Sequence, residues 1–279
     1  MTITVLGPQR RPTVTPLPPD TVAATITAGW RAREPDDAEL DRLLGGGTVN
    51  LRLYERWLDV LDQDHELAEA EVNHRAVVDE LQELYALQVE RANQAMEALR
   101  RTATRPRIRD GALADAEAAL RLLDERHLDR MSAIRADYEA AWRPAERDAV
   151  TRHRDQVRAE LDRAGVLVIA GGHVGVLLHV LRLFAVTPRA DVLAWSAGAM
   201  ALTDRVVLFT DGRAEAYAPG LGLVPDTVLL PHARRRLPVD DPVRIGGLAR
   251  RFAPARCVVL DDGGTLAAAR VIGPDGRLS

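Results

Sequence analysis

The chain has 279 residues, 47% of them hydrophobic and 28% charged, with a formal net charge of -4, a balance that argues against bulk attraction to nucleic acid or to an anionic membrane surface. All 37 basic residues are arginine, so lysine chemistry such as a Schiff base or a Ser-Lys dyad is excluded. The single cysteine, Cys257, excludes an intrachain disulfide or a multi-cysteine zinc site.

The opening residues lack the basic and apolar regions of a signal peptide. No apolar run approaches the roughly 18–20 residues that span a bilayer. A cytoplasmic protein is expected. Thr2 to Leu6 reads as a short strand, ended by Gly7 and Pro8. Pro16, Pro18 and Pro19 mark a stiff loop. Thr21 to Trp30 is rich in β-branched and small apolar residues and predicts a buried strand, followed by the loop Ala28-Gly29-Trp30-Arg31. Asp36 or Asp37 then caps a short helix through Leu40, Leu43 and Leu44, broken by Gly45-Gly46-Gly47.

From about Asn50 the spacing becomes helical. Tyr54, Leu58, Leu61, His65, Ala68 and Val72 recur every three or four residues. After a slip near Arg75 the stripe continues through Val78, Leu81, Tyr85, Ala92, Ala95 and Leu99. Thr102 to Gly111, with Pro106, forms a turn, and Leu113 to Tyr138 makes a return helix that Pro144 ends. The pattern predicts a long αα-hairpin, a coiled-coil-like arm suited to pairing with a second copy of the chain. Glu71 and His74 have the spacing of a helical metal-ligand pair, but the return helix shows no matching pair, so no metal is expected. His65 and His127 fall on the apolar stripe and are expected in the hairpin seam.

After a last helix from Asp155 to Arg163 the α/β character returns. Gly165 to Ala170 is a buried strand, Gly171-Gly172-His173 a tight loop, and Val174 to Phe184 an apolar helix. Val192 to Ala194 is a strand that turns at Ser196 into Ala197-Gly198-Ala199-Met200, the pattern of a nucleophile elbow. Val206 to Phe209 leads to Asp211, Val228 to Pro231 leads to His232, and Cys257 to Leu260 leads to Asp261 and Asp262. Alternating strands and helices predict a mostly parallel sheet with helices on both faces, where ligands bind at the carboxyl ends of strands. The domain plan is a first α/β part over residues 1–48, a helical insertion over 49–150 and the rest of the α/β domain over 151–279.

Ser196 needs a base, and His232 is the best placed. Asp211 and Asp262 are both candidates to orient it. Ala197 supplies one oxyanion amide and Gly172 the other. Gly171, His173 and Trp195 are candidate substrate-binding residues. Arg234, next to Arg235 and Arg236, is the candidate anion-binding group, with Arg213 near Asp211.

These pieces, in this order, resemble the aspartyl dipeptidase (dipeptidase E) and cyanophycinase family of serine peptidases. The resemblance lies in Gly171-Gly172-His173 with Leu177-Leu178, in Trp195-Ser196-Ala197-Gly198-Ala199, in Gly222-Leu223-Val224-Pro225 through Leu230-Pro231-His232, and in Leu260-Asp261-Asp262-Gly263. His173 stands where the family has Asn or Asp, and Ala194 where it has glycine. The resemblance implies a flavodoxin-like, class I glutamine amidotransferase-like fold carrying the hairpin as an insertion. It also implies a cofactor-free Ser-His-Asp hydrolase of small or acidic peptides. The contrasting expectation is a non-catalytic relative that works as an interaction protein through its helical arm.

Overall fold

A computed structural model describes residues 1–9, 13–210, 213–237 and 240–279. In chain order, β1 (Ile3–Leu6) and β2 (Ala23–Ile26) precede α1 (Ala38–Leu44) and a short β3 (Val49–Asn50). The helical region is α2 (Leu53–Gln63), α3 (His65–Arg101), α4 (Pro106–Trp142) and α5 (Asp148–Leu161). Then follow β4 (Val166–Ile169), α6 (Val174–Leu183), β5 (Asp191–Trp195), α7 (Ala197–Ala201), β6 (Arg205–Thr210) and β7 (Arg213–Pro219). The chain closes with β8 (Thr227–Pro231), α8 (Ala233–Arg236), α9 (Pro242–Phe252), β9 (Arg256–Leu260) and β10 (Arg270–Ile272).

The main sheet has the order β1-β5-β4-β2-β3, and every pair in it is parallel. Its strands are apolar on both sides because both sides are covered. Leu167, Ile169, Val192 and Ala194 pack with Leu177, Leu181 and Ala199 of α6 and α7. Val168, Ala170, Leu6 and Trp195 face the other way, onto Leu40 and Leu44 of α1.

The expected single sheet is divided. β8 pairs parallel with β9, which pairs antiparallel with β10. β6 and β7 form a separate antiparallel ribbon. The β7 strand had little apolar signal in sequence, because its buried positions are the small Ala214, Ala216 and Ala218 together with Glu215. The β9 layer joins the main sheet through the Leu6–Thr265 bridge and a 2.8 Å bond from Gly7 N to Gly264 O.

The helical stretch breaks earlier than the slip at Arg75. Asp64 ends α2, and its carboxylate caps α3 by accepting from Leu67 N at 2.9 Å. Pro106 lies inside α4 at its first turn, where its missing N–H costs nothing. At 37 residues each, α3 and α4 are about 55 Å long.

The hairpin is not a free arm along its whole length, because part of one side is docked on β7 and α9. Tyr85, Val89, Met96 and Leu120 form a core with Ala216 of β7. The seam holds a buried ionic network. Arg251 donates from Nε and Nη2 to both oxygens of Asp124 at 2.7 Å, and from Nη1 to Ala214 O at 2.8 Å. Tyr85 Oη donates to Asp124 at 2.7 Å and accepts from Ala216 N at 2.9 Å. His127 stacks on Tyr85 with ring centroids 3.9 Å apart, and its Nε2 lies 3.0 Å from Gln82 Oε1. His65, expected in the same seam, is exposed at the start of α3. Among the described residues no helix is long and apolar enough to cross a membrane.

Candidate active site

Three adjacent strands end together. The register pairs Ile26 with Ile169 and Ile169 with Ala194, so the segments after β2, β4 and β5 emerge side by side. They carry Gly29, Gly171 to His173, and Ser196.

Ser196 has φ 51° and ψ -123°, a backbone that a β-carbon disfavours by about 1–3 kcal/mol. It precedes α7 but does not cap that helix with its hydroxyl. The hydroxyl has room because residue 171 is glycine. A β-carbon there would stand 3.0 Å from Ser196 Cβ and 3.3 Å from its Oγ. Gly172, at φ +119°, packs against Gly29, and a side chain there would overlap the Gly29 backbone. His173 N donates to Gly29 O at 2.8 Å, fixing the loop. Among the described residues, the amides of Gly172 and Ala197 donate to no backbone acceptor.

His232 follows β8 in a left-handed conformation, φ 59° and ψ 32°. Its N–H donates to Leu260 O at 3.1 Å, and its Nδ1 lies 3.7 Å from Asp262 Oδ1, an ion-pair distance that exceeds a hydrogen bond. The neighbouring Asp261 is otherwise engaged. It accepts from Arg234 N at 3.2 Å and pairs with the Arg234 guanidinium, also at 3.2 Å. Of the two carboxylates proposed to orient His232, the structure brings Asp262 to it, while Asp211 lies outside the described residues.

Ser196 and His232 stand at the same end of the fold. Trp195 pairs with Leu6, Gly7 is bonded to the loop after β9, and β9 pairs with β8 up to Pro231. In addition α7 packs on β8.

Two proposed binding residues are placed elsewhere. Trp195 is 7% exposed and packs with Leu6, Ala170 and Leu44 on the α1 side of the sheet, as expected for alternate residues of a strand. Arg234 is held by Asp261, with its side chain 69% exposed.

His173 stands two residues after Gly171, which packs on Ser196. It caps α6, accepting from Val176 N on Nδ1 at 3.2 Å, so its remaining proton sits on Nε2. Burial first, and then the charges of Arg31 and Arg75, hold its pKa below the ordinary histidine value. Tyr217 Oη approaches the same place, since both it and His173 Cε1 lie against Gly175. Gly29 and Arg31 lie in the strand-end loop that the sequence marked, whereas Arg75 and Tyr217 were not singled out from sequence. For Arg31 the only signal was its position in the loop after a buried strand.

Among the described residues no group of three or more His, Cys, Asp or Glu side chains is arranged to hold a metal. Glu71 and His74 are engaged separately. Glu71 accepts from Trp57 Nε1 at 2.6 Å and lies 3.3 Å from His179 Nε2, while His74 stacks on Tyr138 at 4.5 Å. Burial raises the Glu71 pKa, but the His179 and Trp57 hydrogen bonds and the charges of His179 and Arg75 together leave the carboxyl below its usual value. His179 therefore has a polar partner on α3 rather than a purely apolar setting. A cavity of about 240 Å³ opens between the hairpin and the α/β body, lined by Met96, Leu120, Phe209 and Arg251 and also by Arg213, expected near Asp211, whose guanidinium pairs instead with Glu90 at 3.1 Å.

No protein-family model matches the chain, and no curated protein is similar enough to be counted as a relative.

Proposed function

We propose that this chain is a serine hydrolase acting on small or acidic peptides, with a flavodoxin-like body of the dipeptidase E and cyanophycinase type. The observation that carries the reading is the backbone of Ser196. A non-glycine residue is held at φ 51° between a parallel strand and a helix, and its hydroxyl is left out of the helix cap. Strain of this kind persists where the surrounding structure enforces it, and it clusters at functional sites.

In this reading Ser196 Oγ attacks the substrate carbonyl carbon as His232 accepts its proton. Asp262 steadies the imidazolium that forms. The carbonyl oxygen, now negative, receives the amides of Ala197 and Gly172. His232 then returns the proton to the leaving amine, and water repeats the sequence on the acyl-enzyme to release the acid. The protein works without a cofactor, in the cytoplasm.

The test is hydrolysis of a dipeptide panel by wild type and Ser196→Ala. Turnover by the wild type that falls at least 10³-fold in a variant of equal melting temperature supports the reading. Equal turnover by the two proteins refutes it.

A second reading, an interaction protein working through its hairpin, is favoured by Val72 and Leu84, which are 69% and 62% exposed on α3. It predicts a homodimer that Val72→Glu with Leu84→Glu converts to monomer, as read by sedimentation.

A further inference from the structure

The charge of this chain is unevenly placed. Arg100, Arg101, Arg105, Arg107 and Arg109 stand within ten consecutive positions that contain no Asp or Glu, although the whole chain carries a net charge of -4. The fold gathers them at one end. α3 finishes at Arg101 and α4 begins at Pro106, so the last turn of one helix and the first turn of the next meet at the tip of the hairpin. Every residue from 101 to 108 is exposed. Glu71, 3.3 Å from His179 of α6, lies 30 residues before Arg101, about 45 Å back along the helix.

The carboxylates near the tip balance only part of this charge. Arg100 pairs with Glu97 at 3.2 Å, and Arg244 of α9 shares that carboxylate at 3.9 Å. Arg109 lies 3.7 Å from Asp110. Among the described residues no carboxylate is within ion-pair distance of Arg101, Arg105 or Arg107. Folding accounts for some of these arginines and not for others. Arg100 and Arg101 suit the negative end of the α3 dipole, whereas Arg107 sits in the first turn of α4, at a positive end that favours acids. Arg105 precedes that helix and supplies no side-chain cap.

The neighbours of the arginines select among anionic partners. Ile108 is 60% exposed in their midst, and Ala103 and Pro106 are exposed beside it. No aromatic, Asn or Gln side chain occurs from 100 to 110 to stack on a base or to read adenine. The Thr102 hydroxyl is spent on Ala98 O at 2.8 Å. A ring of arginines around an exposed aliphatic side chain matches a lipid surface, which offers phosphates outside and hydrocarbon beneath.

We propose that the hairpin tip docks on an anionic phospholipid surface, with Arg101, Arg105 and Arg107 at headgroup phosphates and Ile108 below them. The contact is peripheral and reversible, since one basic patch with one aliphatic residue is a weak anchor. It holds whether or not Ser196 is a nucleophile. It gives the length of the hairpin a use in a single chain, and it is a local property that the net charge of the chain conceals.

The experiment is vesicle co-sedimentation of the full chain with phosphatidylcholine alone and with about a third phosphatidylglycerol added. At about fivefold per unpaired arginine, wild type is expected to prefer the anionic vesicles about a hundredfold. The triple variant Arg101→Gln, Arg105→Gln, Arg107→Gln loses most of that preference, and the matching triple lysine variant keeps most of it. Ile108→Ser weakens binding to the anionic vesicles severalfold, and salt at about 1 M abolishes the preference. All three positions are exposed, and equal melting temperatures confirm that the variants are folded. A wild-type preference below threefold, or one unchanged in the triple glutamine variant, overturns the proposal. Tighter binding to a duplex DNA oligonucleotide than to the anionic vesicles, lost in the same variant, also overturns it and assigns the tip to nucleic acid.

Discussion

Tyr85, Asp124 and Arg251 are bonded to one another and to the backbone of β7, whereas Ser196 and Arg31, among the described residues, give their side chains to no hydrogen bond. The first set is buried and relaxed, and it holds the hairpin against β7 and α9. The second is accessible and strained, at the ends of strands that are themselves buried on both faces. In the seam a charge is tolerated because each partner is present. At the strand ends Ser196 and Arg31 hold positive-φ backbones that the surrounding structure enforces. The Tyr85–Asp124–Arg251 set is fully paired where it holds the hairpin, although His74 Nε2, Arg121 Nε and His127 Nδ1 elsewhere on the hairpin are buried without a hydrogen-bond partner.

The comparison breaks first in the seam. Arg251→Met leaves the Asp124 carboxylate buried without its partner and is expected to cost about 3–5 kcal/mol, read from urea denaturation. Survival of that variant at near wild-type stability would mean that the network does not hold the hairpin. Gly198→Ala comes next. Its β-carbon would stand 2.6 Å from Ala170 O and closer still to Ile169 O, so the strand and α7 must part, at about 1–3 kcal/mol by the same measurement.

Acid provides a graded test. His127 is held down to about 4, mainly by burial, whereas the unfolded side chain titrates near 6.5. Between those values the unfolded chain binds the additional proton. Stability is therefore complete above about pH 6.5, falls as the pH drops toward 4, and levels off below it. The urea midpoint followed over that window should show a shallower slope in His127→Gln. An unchanged slope would place the acid sensitivity elsewhere, for example at His74 or His173, which shift in the same direction. The smallest effect runs the opposite way. Ser196→Gly should raise stability by about 1 kcal/mol, because glycine adopts φ 51° without strain and gives back part of that gain as unfolded-chain entropy. A loss of stability would show that the serine backbone is not strained.

Much of this was legible in the sequence. Apolar runs marked β1, β2, β4, β5, β8 and β9, because a strand covered on both faces has little polar alternation. The elbow at Ser196 and the glycine loop were visible as small residues at a strand end. The hairpin was visible from its stripe, but its break at Asp64 was not, since one capping carboxylate among many looks like any surface acid. The β6 strand was visible as Val206 to Phe209, but its antiparallel partner β7 was hidden because alanines fill its buried positions. At the site, strand ends were predictable but facing directions were not. Trp195 and Ala194 are neighbours that alternate to opposite sides of the sheet, and Asp261 and Asp262 are neighbours with different partners.

The central claim is that Ser196 is an activated nucleophile served by His232. Its most direct test is labelling of the native protein with a fluorophosphonate, with the modified residue located by peptide mass spectrometry. The account predicts one adduct, on Ser196, absent in Ser196→Ala and formed at least tenfold more slowly in a folded His232→Gln. A native protein that resists the probe, or an adduct on Ser196 whose rate is indifferent to His232, would contradict it.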